Sequence, residues 1–259
     1  MKKGFLIDMD GVIYSGNDLI PGADTFISEL QKRKIPFLFM TNNSQRTAMD
    51  TVIKVEKMGI YIKEENVYNS AMATAWFLSF IKPKGTAYVL GEGGLISSLE
   101  NVGYKLVNQN ADYVVLGEGI NFTMDMVNNA VEMILAGARF IATNLDPSPR
   151  KTGWNNLGIK AVVAMIEEAT GVCAFSVGKP SPVMMRASRK KLGLTAEETI
   201  IIGDTLATDI LGGIQLGYKT ILTLSGVTKL EDLSKSVLKP SLIVETCADI
   251  DLDDVLKKL

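Results

Sequence analysis

The sequence of 259 residues contains no histidine. That absence excludes Ser-His-Asp and Cys-His nucleophilic catalysis, zincin-type metal sites and His-ligated iron. Acid–base chemistry is left to carboxylates, lysine, tyrosine or a metal-bound water. Cysteine is nearly as scarce. Cys173 and Cys247 stand far apart without CxxC spacing, so neither a zinc site nor a disulfide framework is expected, and both read as buried or inert thiols. No uncharged apolar run approaches the roughly 18 residues of a membrane span. Met1-Lys2-Lys3 leads into only four residues before Asp8, short of the about 7–15 of a secretory h-region. A formal charge of -2 gives no electrostatic case for a nucleic-acid polymer or an anionic membrane. A cytoplasmic globular chain of one or two domains is the expectation.

What the chain does carry is a short apolar run closing on two acids and a glycine, Phe5-Leu6-Ile7-Asp8-Met9-Asp10-Gly11-Val12. The run predicts a buried strand opening into a turn at Gly11. On an extended backbone Asp8 and Asp10 point the same way and share one small space. Two such charges call for a proton or a cation, and a hard divalent ion such as magnesium suits an all-oxygen donor set.

Strand-like and helix-like segments alternate along the whole chain, which predicts an α/β fold with a mainly parallel sheet. Ala23, Phe26, Ile27 and Leu30 fall on one helical face. Pro36-Phe37-Leu38-Phe39-Met40 predicts a second strand ending at Thr41-Asn42-Asn43-Ser44, and a helix follows to about Met58. Ser70 is the expected cap of a helix from Ala71 to Phe80. Lys82-Pro83-Lys84-Gly85 breaks the pattern. Beyond it, Tyr88-Val89-Leu90-Gly91-Glu92-Gly93 and Tyr113-Val114-Val115-Leu116-Gly117-Glu118-Gly119 echo one another as strands emptying into glycine turns. Gly91-Glu92-Gly93-Gly94 fails the dinucleotide fingerprint because Ile96 occupies its last glycine position.

A strand at Phe140-Ile141-Ala142-Thr143 precedes a polar loop over 144–156, a helix from Leu157 to Thr170, and a second boundary near Phe175-Ser176. A helix to Leu192 follows, then the strand Thr199-Ile200-Ile201-Ile202. The next helix is expected to set Ala207, Ile210, Leu211 and Ile214 on one face, and Lys219–Thr223 and Ser241–Val244 are expected strands. The resulting division is a core of 1–81 and 177–259 interrupted by a domain over 82–176.

Three apolar strands therefore end in polar clusters: Asp8 and Asp10, Thr41 and Asn42, and Asp204 and Asp209. Ligands of open parallel sheets bind at the carboxyl ends of strands, so these clusters should converge. Four acids with a hydroxyl, an amide and Lys179 describe a magnesium-dependent phosphoryl site. Asp8 is the candidate nucleophile, forming an aspartyl-phosphate, and Asp10 the proton donor and later base. Thr41 and Asn42 are expected to bind phosphoryl oxygens, as are Lys179, which also orients Asp8, and the turn Thr205-Leu206-Ala207-Thr208. Asp204 completes the metal shell with Asp8 and Asp10, and Asp209 either joins it or serves as a helix-start charge. Taken singly, each cluster reads as a solvated turn, a helix cap or a loop residue.

The ordered set resembles the haloacid dehalogenase superfamily of aspartate-nucleophile phosphatases, in its NagD-type branch. The carriers are Asp8-Met9-Asp10-Gly11-Val12, Thr41-Asn42-Asn43, Gly178-Lys179-Pro180-Ser181-Pro182 and Gly203-Asp204-Thr205-Leu206-Ala207-Thr208-Asp209-Ile210. Ser70-Ala71-Met72-Ala73-Thr74-Ala75, Phe140-Ile141-Ala142-Thr143-Asn144 and Leu224-Ser225-Gly226-Val227 add to them. The resemblance implies a Rossmann-like core with an inserted α/β cap, and magnesium held by Asp8, the Asp10 backbone carbonyl and Asp204. It implies hydrolysis of small phosphomonoesters, often nucleoside 5'-monophosphates, and caps of this size can pair into a homo-oligomer. Leu145 stands where the family commonly has proline. Arg150, Lys151 and Trp154 just beyond it are candidates for contact with the leaving group. A phosphate-binding protein without turnover, or a phosphotransferase to an acceptor other than water, are the alternatives.

Overall fold

The computed structural model describes residues 3–147 and 157–259. The chain forms two compact units: one of the residues up to Thr41, Met49–Tyr68 and Met185–Leu259, the other of Asn42–Ala48 and Asn69–Met184.

The first unit carries a six-stranded sheet in the order Leu242–Val244, Lys219–Thr223, Thr199–Gly203, Gly4–Ile7, Phe37–Thr41 and Val67–Asn69. The first five pair in parallel. Gly4–Ile7 and Thr199–Gly203 are buried along their whole length, which explains the apolar runs Phe5-Leu6-Ile7 and Ile200-Ile201-Ile202: a parallel strand covered on both faces needs no polar side. The helix Ala23–Lys32 buries the four residues expected of it, Ala23, Phe26, Ile27 and Leu30. They pack into a core with Phe5, Ile7, Phe39, Ile200, Ile202 and Ile221. Phe5 and Phe26 meet edge to face, with centroids 6.3 Å apart.

The helix Ser70–Ile81 is capped by Asn69, not Ser70. Asn69 is the last residue with extended dihedrals, so its Oδ1 reaches the Met72 N–H at 2.8 Å. Ser70 already belongs to the first turn, and its hydroxyl donates to the Asn42 carbonyl at 2.5 Å.

The second unit holds a five-stranded parallel sheet in the order Phe175–Ser176, Arg139–Ala142, Tyr113–Leu116, Thr86–Leu90 and Lys105–Leu106. The two echoing segments are its neighbouring strands, with Leu90 registered against Leu116. One runs almost directly into the helix Gly93–Asn101. The other reaches the helix Met124–Leu135 through a loop whose Thr123 hydroxyl caps the helix by accepting from the Met126 N–H. Tyr88, Leu90, Val114, Leu116, Ile134, Phe140, Val163 and Ile166 form this unit's core. Lys82–Gly85 makes the turn into the Thr86–Leu90 strand. Thr86 donates to Asp112 through both N–H and hydroxyl, and Lys82 pairs with the same carboxylate, which holds the Asp112 carboxyl below its usual range. No described helix is long and apolar enough to cross a membrane.

Cys247 is buried, its thiol donates to the Val12 carbonyl at 3.3 Å, and burial pushes its pKa up to about 12. Cys173 lies on the surface. Thr223, alternating along its strand with the core residue Ile221, buries a hydroxyl with no hydrogen-bond partner among the described residues. A buried unpaired hydroxyl costs about 1–3 kcal/mol. Thr223→Val is therefore expected to raise the melting temperature by about 2–4 °C per kcal/mol recovered. A thermal melt showing no rise, or a fall, would mean that the hydroxyl is paired in solution.

Candidate active site

The register of the first sheet decides where its acids go. Ile7 is paired with Ile202 on one side and Phe39 on the other, and the Asp8 N–H donates to the Ile202 carbonyl at 2.8 Å. Asp8, Asp204 and Thr41 thus emerge at the same end of three adjacent strands. The chain leaves the central strand toward one neighbour and returns on the other side, so this is the sheet's topological switch point. Asp8 is 8 % exposed, Asp204 3 % and Asp209 0 %. One carboxylate oxygen from each lies within 4.8 Å of the other two.

Asp209 enters this cluster through a departure from helical geometry. Leu206–Ile210 forms one π-helical turn before the helix Leu211–Gln215, with the Ile210 N–H reaching back to the Thr205 carbonyl. The wide turn inserts an extra residue and shifts the helical phase. Asp209 and Ile210 turn inward, followed by Gly212 and Gly213, while Ala207 and Ile214 are exposed. The expected apolar face of Ala207, Ile210, Leu211 and Ile214 is therefore not formed.

Asp10 is placed differently from its neighbour. The extended backbone stops at Ile7, and the Met9 carbonyl accepts from the N–H groups of Ile13 and Tyr14 while Gly11, at φ 83°, turns the chain. Asp10 is exposed on this turn, and the trio around Asp8 is completed by Asp204 and Asp209 without its carboxylate. Alternation along one strand, the expected reason for Asp8 and Asp10 to share a space, does not operate once the strand has ended.

Each acid of the trio is held by donors from its own surroundings. The Met9 N–H donates to Asp8 at 2.7 Å, and the Val227 N–H and Thr205 hydroxyl donate to the two oxygens of Asp204 at 2.6 and 3.0 Å. The Thr208 hydroxyl donates to Asp209 at 3.0 Å. The hydroxyls of Thr205 and Thr208, expected to face substrate, thus donate to the acids. Glycines close the space around them. A Cβ at Gly203 would lie 2.2 Å from Asp209, and at Gly226 or Gly11 only 1.9 or 2.4 Å from Asp204 Oδ2. Three ionised carboxylates at this spacing repel by about 3 kcal/mol per pair at an effective dielectric of about 20. A buried, all-oxygen set of three carboxylates fits a hard divalent cation.

In the second unit the structure brings together Asn42, Lys179 and a residue that sequence reasoning missed, Asp146. Asn42 Oδ1 accepts from the Lys179 N–H at 2.8 Å, and its Nδ2 donates to the Lys179 carbonyl at 3.1 Å and to both Asp146 oxygens at 3.0 and 3.1 Å. Asn144 and Ser70 both donate to the Asn42 carbonyl. The only signal for Asp146 was its place four residues after the end of the Arg139–Ala142 strand, where polar residues are expected anyway. Arg150, Lys151 and Trp154 lie outside the described residues.

The sequence model of the haloacid dehalogenase-like hydrolases matches residues 5–105, and a second HAD-hydrolase-like model matches 176–250. The dihydroxyacetone phosphatase of Corynebacterium glutamicum is 38% identical over 250 residues, covering 95% of this chain and 90% of that protein. The chain belongs to the haloacid dehalogenase-like hydrolases. Ribonucleotide monophosphatase NagD of Escherichia coli is a relative in this family at 40% identity over 250 residues, covering 96% of this chain and 98% of NagD. The solved structure of NagD from Escherichia coli K-12 superposes with a TM-score of 0.90 at 39% identity, over 96% of this chain and 98% of that one. The chain is a phosphatase of the family, a phosphoric monoester hydrolase.

Proposed function

We propose that this phosphatase hydrolyses small phosphomonoesters, nucleoside 5'-monophosphates or compounds of similar size, with magnesium and through a phosphorylated Asp8. The buried trio of Asp8, Asp204 and Asp209 at the switch point of the sheet carries the proposal. Asp8, the Asp10 backbone carbonyl and Asp204 would hold the magnesium ion, with Asp209 supporting them. When bound, the ion supplies positive charge against the acids and the phosphoryl oxygens.

The Asp8 carboxylate attacks phosphorus, and the bond from phosphorus to the ester oxygen breaks. Asp10, on its exposed turn, gives a proton to the departing oxygen and then takes one from the water that opens the aspartyl-phosphate. The Thr41 hydroxyl and the Asn42 peptide N–H bind phosphoryl oxygens, since both donors of the Asn42 side chain are directed at Lys179 and Asp146. Lys179 offsets phosphoryl charge and orients Asp8. Thr205 and Thr208 orient Asp204 and Asp209, with Leu206 and Ala207 completing the turn beside the substrate. The remaining chemistry is positioning and charge stabilisation, as phosphoryl transfer requires.

Residues 82–176 act as the cap that selects the leaving group. The names of the relatives span a triose and ribonucleotides, which supports a fixed phosphoryl site with a variable cap. A cytoplasmic location and pairing of two copies through the cap belong to the same proposal.

Phosphate release from a panel of nucleoside monophosphates, sugar phosphates, dihydroxyacetone phosphate, phosphoglycolate and p-nitrophenyl phosphate tests this. Release is expected with magnesium and none in excess chelator. A panel with no release, or release indifferent to chelator, rejects the proposal. A phosphorylated organic product in place of free phosphate identifies a transferase.

A further inference from the structure

We propose that Asn42 and Asp146 form a clip that sets the position of Lys179, with Asp146 a positioning residue. The proposal rests on the assignment of Lys179 to the phosphoryl group.

The geometry is a closed circuit. Asn42 grips the peptide of Lys179 from both sides, accepting from its N–H at 2.8 Å and donating to its C=O at 3.1 Å. An asparagine amide has two N–H donors. One goes to the Lys179 carbonyl and the other is shared between the two oxygens of Asp146. A carboxylate only accepts, so Asp146 admits only the Nδ2 end of the amide and disfavours the flipped orientation, which would set Oδ1 against it. The bond is charge-assisted and correspondingly strong.

Asp146 is itself fixed. Its N–H donates to Asn144 Oδ1 at 2.9 Å, and Asn144 Nδ2 returns to the Asn42 carbonyl at 2.8 Å. Gly178 is part of the fit: a Cβ there would fall 2.5 Å from the Thr143 carbonyl and 2.6 Å from Asn42 Oδ1. Asn42, Asn144 and Lys179 are buried, so water competes poorly for these bonds. Asp146 thus acts through Asn42 on the backbone that carries the Lys179 ammonium.

Two measurements on the full chain test the clip. The first is the kcat of magnesium-dependent p-nitrophenyl phosphate hydrolysis for Asp146→Ala, Asp146→Asn, Asn42→Ala and the double variant. Asp146→Ala is expected to lower kcat by about tenfold or more. Asp146→Asn, which keeps an acceptor oxygen, is expected to recover most of that loss. In the Asn42→Ala background, Asp146→Ala should change kcat less than about twofold, because residues acting through one contact are not additive. Additive losses, or an unchanged kcat in Asp146→Ala, overturn the clip.

The second is amide hydrogen exchange at Lys179, which needs no activity. Asp146→Ala and Asn42→Ala should each speed exchange there by about tenfold or more, while the strands Gly4–Ile7 and Thr199–Gly203 keep their protection. Asp146→Leu, close in shape to aspartate but without an acceptor, supplies the same comparison if the alanine variant does not fold. Unchanged exchange overturns the clip even in an active enzyme. Faster exchange in a chain that releases no phosphate leaves the clip standing and rejects the phosphatase mechanism.

Discussion

Asp8→Asn is expected to reduce phosphate release by about 10⁴-fold or more, the scale of loss when a nucleophile is removed. Asparagine keeps the size of the side chain and can still accept the Met9 N–H, so the local fold should survive. The effect on stability should depend on the metal. In chelator, the substitution removes one of three buried charges whose oxygens lie within 4.8 Å, and with it two of the three repulsive pairs. A rise of about 2–4 °C in melting temperature is expected for each kcal/mol relieved. With magnesium the order should reverse, because the wild type gains RT ln(1 + [L]/Kd) and the variant has lost a ligand. Phosphate assays with paired melts in magnesium and in chelator check both halves. A variant with wild-type turnover, or one less stable than wild type in chelator, contradicts the assignment.

Gly226→Ala should also be damaging, though it changes no chemical group. The new Cβ would lie 1.9 Å from Asp204 Oδ2 and 2.5 Å from its Cγ, so the carboxylate must move. Asp204 is gripped by the Val227 N–H at 2.6 Å and the Thr205 hydroxyl at 3.0 Å, so moving it breaks up a paired, buried acid. A loss of about 100-fold in kcat/KM is expected, with a higher magnesium requirement and about 1–3 kcal/mol of overpacking strain. Gly59→Ala is the matched control. Gly59 adopts φ 87° but has nothing within 4 Å of its would-be Cβ. It should lose about 1 kcal/mol to backbone strain while turnover is unchanged. If Gly226→Ala retained full turnover at the wild-type magnesium concentration, the crowding around Asp204 would have no functional meaning.

Much of this was legible from residue types because burial leaves little choice. Phe5-Leu6-Ile7 and Ile200-Ile201-Ile202 have no polar position and so read as inner strands. The spacing of Ala23, Phe26, Ile27 and Leu30 fixes a single helical face. What was not legible depends on a single residue's backbone angles. Whether Asn69 or Ser70 caps a helix turns on which of two good capping residues is the last to remain extended. The π-helical turn at Leu206–Ile210 leaves no periodic trace, so an α-helical spacing rule assigns the wrong face. The strand carrying Asp8 ends one residue before it, and alternation cannot be projected past that point onto Asp10. Asp146 was invisible for another reason. It serves a partner 104 positions away, and its own neighbours give no hint of the connection.

The placement of the strand Gly4–Ile7 between Phe37–Thr41 and Thr199–Gly203 sets a timetable for synthesis. A ribosome adding about 5–20 residues per second takes roughly 10–30 s to travel from Thr41 to Thr199. For that whole interval the strand Gly4–Ile7 has an open flank, and every strand of the second sheet, ending at Ser176, is completed before the interval closes. The inserted unit can therefore mature first, and the three buried acids come together only when the second half of the core arrives. A nascent chain halted before Asp204 holds Asp8 but none of its two acidic companions. The carboxylate proposed to attack phosphorus is made long before its surroundings are.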